Sequence, residues 1–391
     1  MASANGGNIL IPPVFAMLLR RPLRACSAAV FATFLAFGAG GHAHAQNQSL
    51  ATPSARPANP FGVSGVSVDA SADSAAAARP IAVADGQRRA FSTLLRRLTL
   101  PDDHGRLPRP SEALLNEVVA GFGIDEERTS ATRYIGKISV QFRADAIRRL
   151  LQDNRLPYSE TTSRPVLLVP VWQSNEGARI WEADNPWREA WLRRPDTEGG
   201  LVPLSVAPPM PNGGPSLERL FGNPDELRNL MRQGGFDDAL LVVATLQSAE
   251  VGNTRVEIQI QHQGQAAFLG TTEAFTATGG TQEETLLSAA IEIGRRIETR
   301  WKYASVIDLE KQGQLSVAAA FNGLAEWTRL RAALAGVPIV RKVDVLQVSH
   351  RDAQILLDYY GEPGQLSIAL AQRNVVLQQR DGFWEMRSRQ P

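Results

Sequence analysis

Four tryptophans crowd one stretch of this chain, Trp172, Trp181, Trp187 and Trp191, and Arg188, Arg193 and Arg194 stand among them. Clustered indoles either offer a stacking platform to a glycan, lipid or peptide, or pack a helix onto its sheet with each ring N–H finding a partner at the rim. Trp187 and Trp191 are four residues apart and so share a helical face, the spacing of a core stripe. Both readings are open on spacing alone. Trp172, Trp181, Trp187, Arg188 and Trp191 are therefore the candidate partner contacts, with the Pro195–Ser216 loop beside them.

Other residues with chemical potential are scattered. Glu126-Glu127 falls in a loop-like region, and Asp237-Asp238 precedes a buried strand, where turn formation is the plainer role. Two carboxylates can be brought together from anywhere in a chain, so acid-pair hydrolysis stays open. Arg88, Arg89, Arg96 and Arg97 form a basic stripe on one helix, suited to an acidic partner or lipid phosphate, or simply to solvent. No His-Glu-x-x-His zinc motif, nucleophile elbow or phosphate-cradling loop occurs. The sequence thus assigns no catalytic, cofactor-binding or metal-ligating residue, and it implies no cofactor.

These residues need elements to hold them, and the chain is long enough to supply them. Its 391 residues leave room for two or three domains. Hydrophobic content of 43% and charged content of 21% exclude global disorder. A net charge of +1 leaves no electrostatic footprint for nucleic acid.

The first 45 residues read as a cleavable export signal. Arg20, Arg21 and Arg24 precede an uncharged apolar run from Ala25 to Gly38, and Ala43-His44-Ala45 places small residues at the cleavage positions, with cleavage expected after Ala45. That run is too short to cross a hydrocarbon core of about 30 Å comfortably. The chain is therefore expected in the periplasm, with an inner-membrane form anchored by an uncleaved signal as the alternative. Met17 would give a more compact signal than Met1. Removing three arginines and no acid leaves 38 basic against 40 acidic residues, no cysteine, and only His104, His262 and His350.

Residues 46–60 are polar and proline-broken, a flexible lead-in. The expected fold class is α+β or α/β in three small mixed units. Residues 61–162 form the first: a strand from Phe61, a long helix ending before Pro101, and a second helix capped by Ser111 and closed by Gly121 and Gly123. A strand over Tyr134–Phe142 and a helix over Ala144–Asp153 complete it. Residues 163–305 form a middle unit, a mixed sheet covered by helices, in which Pro165–Trp172 and Ala239–Leu246 read as buried strands. Asn185 and Pro186 should start a helix in this unit, and Gln282–Tyr303 is its longest. Residues 313–391 read strand, helix, strand, strand, helix, strand (the last from Val375 to Arg387), the ferredoxin-like βαββαβ plan.

The segments GQRRAFSTLLRRLT (Gly86–Thr99), YIGKISVQFRADAIRRLL (Tyr134–Leu151), SRPVLLVPVW (Ser163–Trp172) and DNPWREAW (Asp184–Trp191) carry a resemblance. In them the chain resembles a proteobacterial family of exported proteins defined only as a domain of unknown function. The resemblance implies an envelope context, since members are often encoded beside an autoinducer-exporter-like permease, and it carries no catalytic residues. The middle unit is also similar to the α/β domains of periplasmic assembly proteins such as the amino-terminal part of the Tol translocation protein. The function expected is a non-catalytic periplasmic binding or assembly module of the cell envelope. Its partner would be an envelope protein or component, a neighbouring membrane permease among them, and no nucleic acid. The alternative is a metal-free, carboxylate-based hydrolase of the envelope.

Overall fold

The structure, a computed structural model, describes residues 59–195, 200–250, 252–270 and 272–389. The residues read as an export signal, and nearly all of those read as a lead-in, lie outside the described residues. Asn59, the first described residue, accepts the Phe61 amide on its side chain. β1 (Gly62–Ser71) follows, and Ser74 caps α1 (Ala75–Leu98) by accepting from Ala77 N. Phe91, Leu94, Leu95 and Leu98 recur on one face of α1 and are fully buried. Gly86 lets that face lie close on the sheet: a Cβ there would sit 2.5 Å from Val68 Cγ1 and 2.6 Å from Ile138 Cδ1.

Ser111 caps α2 (Glu112–Val118) as its spacing predicts. Gly121 and Gly123 do not close that helix. The chain turns directly into β2 (Val119–Thr129), which pairs antiparallel with β3 (Arg133–Phe142) from Val119 opposite Phe142 to Thr129 opposite Tyr134. Pairing with β3 satisfies the backbone groups of β2 that face it, and that outweighs two glycines. Glu126 and Glu127, read as loop residues, therefore sit on a strand, bound to Lys137 and Tyr134 respectively. The sheet order is β1-β3-β2, and α3 (Ala144–Asp153) covers its end.

The middle sheet begins with β4 (Val166–Ser174) and β5 (Gly177–Arg179). α4 (Pro186–Leu192), β6 (Leu204–Val206), α5 (Leu217–Gly222) and α6 (Pro224–Gly234) follow. The unit ends with β7 (Asp238–Glu250), β8 (Asn253–Gln263), β9 (Thr272–Gly279) and α7 (Gln282–Ser305). Strand order is β5-β4-β7-β8-β9, with β6 beside β4; β4 runs parallel to β6 and β7. Because side chains alternate along a strand, β4 feeds two cores. Leu167, Val169 and Val171 face α5 and α6, whereas Val166 and Leu168 join the core under α7.

The last unit comprises β10 (Gln312–Ala320), α8 (Leu324–Ala335), β11 (Val340–Val348), β12 (Asp352–Tyr360), α9 (Pro363–Ala371), β13 (Val375–Arg380) and β14 (Phe383–Ser388). The strand expected over Val375–Arg387 is a hairpin. Asp381 and Gly382 adopt φ of 50° and 85°, the left-handed pair that a two-residue turn needs. The consequence is topological. Strand order becomes β11-β12-β10-β14-β13, and β14 pairs in parallel with β10, where the ferredoxin-like plan would put one antiparallel strand.

The cores do not fall one to each sheet. Buried residues from Phe61 to Ile307 form one continuous cluster that spans the first unit and one face of the middle sheet. The C-terminal sheet keeps its own. No helix among the described residues is long and apolar enough to cross a membrane.

Trp301, 1% exposed on α7, lies in the shared core against Phe268 and donates Nε1–H to Thr161 O at 2.7 Å. Trp301→Ala should cost about 3–5 kcal/mol of stability. Hydrogen exchange should show β3 and β7 losing protection together; loss confined to the middle sheet would argue for independent cores.

Candidate functional site

Arg164, two residues before β4, is where the middle and last units meet. Its backbone N–H donates to Gln372 Oε1 at 2.8 Å, just past the end of α9. Its guanidinium donates to Ala371 O at 2.9 Å, to Asn374 Oδ1 at 2.5 Å and to Asp237. Asn374 takes φ of 60°, which turns the chain sharply from α9 into β13 and presents that side chain. Arg389 closes the arrangement, donating its backbone N–H to Asn374 O at 2.7 Å and its guanidinium to Asp237 at 3.3 Å.

Beside this junction lies a cleft of about 810 Å³, walled by Arg164 and Asp237 on one side and by α8, Arg373 and Arg389 on the other. α8 buries Trp327, Leu330 and Leu334 against its sheet, and that orientation leaves Glu326, Arg329 and Ala333 lining the cleft. A second chamber of about 540 Å³ shares Glu326, Ser388 and Arg389 with the first and adds Arg351 and Arg387. Six arginines and two acids thus line the pair of chambers. Both acids are already engaged: Asp237 by Arg164 and Arg389, Glu326 by the Asn322 amide at 2.7 Å. Arg329, Arg351, Arg373 and Arg387 are exposed, and among the described residues no carboxylate lies within ion-pair distance of them. In a chain whose charges otherwise balance, this is a concentrated positive field inside a recess.

The tryptophan cluster goes elsewhere. Trp172, Trp181, Trp187, Arg188 and Trp191 are all at most 6% exposed, so the surface platform offered by their spacing is corrected to a packing role. Asn185 organises it: its Oδ1 accepts from Trp187 N and Arg188 N, and its amide donates to Pro170 O and Arg179 O. The helix it starts places Trp187 and Trp191 edge to face, centroids 5.4 Å apart, and Trp187 Nε1 donates to Val242 O at 3.0 Å. Arg188 spends its guanidinium on the carbonyls of Ile180 and Glu182. The Arg88–Arg97 stripe is also divided. Arg88 and Arg89 pair with Asp85, while Arg97 donates to Gly62 O at 2.5 Å.

The sequence also missed a buried pair. β7 and β8 pair with Leu240 opposite His262, which brings His262 diagonally onto Asp238. His262 Nε2 is 2.9 Å from Asp238 Oδ1, and Nδ1 is 3.0 Å from Gly270 O. Both ring nitrogens thus lie within hydrogen-bond distance of an oxygen. Asp238 Oδ1 also accepts from Gln265 N and Ala266 N, each at 2.8 Å, and so ties down the β8–β9 connection. Burial alone would raise this carboxyl; the hydrogen bonds from His262 and the two amides hold it below its ordinary value of 3.8. His104 and His350 stay apart from it. Among the described residues no group of three or more His, Cys, Asp or Glu is placed to hold a metal.

Polar groups on α7 brace the shared core. Lys302 Nζ donates to Arg96 O at 3.0 Å and Thr99 O at 2.8 Å, and burial pushes its ammonium down. The Glu298 carboxylate accepts from Leu201 N and Val202 N, and burial pushes it up. Compared with known proteins, the chain matches no family model and no curated protein.

Since the native Asp238 carboxyl titrates below the unfolded one, its stabilisation is complete above the ordinary carboxylate range and is lost as pH falls through the native value. Asp238→Asn should therefore lower stability by about 1–3 kcal/mol at neutral pH. Urea midpoints of the two proteins should converge on acidification. A gap that stays constant down to acid pH would rule out an ionic contribution.

Proposed function

We propose that the chain is an exported, non-catalytic binding or assembly module of the bacterial envelope that engages its partner through the arginine-lined cleft. The observation that carries this reading is the set of exposed guanidiniums, none of them paired with a carboxylate among the described residues, that line two adjoining chambers, the first at the junction of the middle and last units and the second within the last. A surface at a junction, assembled from rigid strand and helix ends, is where a binding protein concentrates recognition. The resemblance to exported proteins of proteobacteria and the signal-like first 45 residues support the periplasmic address.

A carboxylate hydrolase would require two acids flanking the scissile bond, one of them free to donate a proton. Asp237 is clamped between Arg164 and Arg389, and Glu326 is committed to the start of α8, so neither acid is placed free beside a scissile bond. The cleft chemistry therefore favours binding. The partner expected is an envelope protein or envelope component, with a neighbouring membrane permease as one candidate.

A photo-reactive residue at Arg329, in the full chain expressed in a proteobacterium, should yield a discrete periplasmic adduct that the same residue at Glu176 does not. The mass of the recovered protein should begin at Gln46. Equal labelling at both positions, or a cytoplasmic full-length form, would contradict the reading.

A further inference from the structure

Resting on that reading, we infer that the cleft recognises a carboxylate-rich, extended peptide segment of a partner protein. Four features of the site argue for this chemistry. The chambers adjoin, with Glu326, Ser388 and Arg389 lining both, so the site is not a single enclosed pocket. Guanidiniums are divided between them: Arg329 and Arg373 in the first chamber, Arg351 and Arg387 in the second. One phosphate can be bridged by two convergent arginines, whereas arginines distributed over two chambers match charges distributed along a chain.

The walls supply the third argument. Ala333 in the first chamber and Val376 in the second are half-buried apolar walls, backed by Leu330, Val375 and Phe321, which are buried. Apolar surface between cations suits a peptide that alternates acidic and small apolar side chains; an inorganic ion or a sugar phosphate would leave it unused. The fourth argument is a worked example inside the molecule. Asp237 Oδ2 is held by Arg164 and Oδ1 by Arg389, so two cleft guanidiniums already divide one carboxylate between them.

Affinity for this segment should be electrostatic and salt-sensitive, since the four arginines are exposed. The chain lacking the export signal is titrated with a short peptide of alternating Glu and Ala, its Gln–Ala counterpart, inorganic phosphate, and phosphatidylglycerol vesicles. The Glu–Ala peptide should bind, and Arg329→Gln with Arg373→Gln, or Arg351→Gln with Arg387→Gln, should each weaken it about tenfold, the effect of losing close charge pairs. Arg88→Gln, away from the cleft, should change nothing. All five substitutions replace exposed side chains, and an unchanged melting temperature certifies folding in each variant. The inference is overturned if the Gln–Ala peptide binds as well, if both double variants bind normally, or if phosphate or vesicles bind in an arginine-dependent way while the peptide does not. Because photo-crosslinking at Arg329 needs no assumption about ligand chemistry, a specific adduct with no peptide affinity would sink this inference and leave the binding module standing.

Discussion

Arg164 carries the constraint on which the cleft depends. One residue donates to two side chains and a backbone carbonyl across the boundary between the middle and last units, and to Asp237 within its own unit. A planar guanidinium with five donors in fixed directions suits this task, because a change of angle between the units would break several bonds at once. The side chain is about three-quarters buried, so its bonds are shielded from salt more than those of the arginines it helps to position. Asp237 links the two roles. It holds Arg164 and Arg389 in place and prevents either from collapsing onto another carboxylate.

Behind that junction, α7 makes the first and middle units mechanically one. Its apolar stripe buries Leu286, Ile293, Ile297 and Trp301 in the shared core, and its last turns reach the first unit through Lys302 and Ser305. A buried ammonium whose donors reach two helix-end carbonyls is costly to desolvate, and it is specific because no other register offers those acceptors. The C-terminal sheet, with its separate core, docks onto this platform through Arg164 and through Tyr360 and Ile368, which pack against the shared core. Rigid support behind an exposed charged recess is the condition under which charge placement gives specificity.

Local chemistry was legible wherever one segment decides it. Asn185-Pro186 starts its helix, Ser111 caps another, and the α8 and β11 boundaries fall where hydrophobic spacing puts them. Two local signals were outweighed or passed over. Gly121 and Gly123 read as a helix stop, yet β3 offered the segment a ladder; Asp381-Gly382 is a strong hairpin turn inside a run that looked continuous. The tryptophans drew attention because indoles are conspicuous in sequence, but large aromatic area is most valuable where it is buried. The cleft was illegible for the opposite reason. Its arginines come from positions 164, 329, 351, 373, 387 and 389, on separate segments, and arginine is abundant throughout the chain. Asp238 and His262 likewise meet only through strand register.

The central claim is that the last unit is held in one orientation, so that the arginine cleft is a standing feature of the molecule. In the chain lacking residues 1–45, which holds no cysteine, spin labels at Glu176→Cys and Lys342→Cys report on the middle and last units without background thiols. Pulsed electron resonance should give one narrow distance distribution, and Arg164→Ala should broaden it. A broad distribution in the unaltered background, or one that ignores loss of Arg164, would contradict the account.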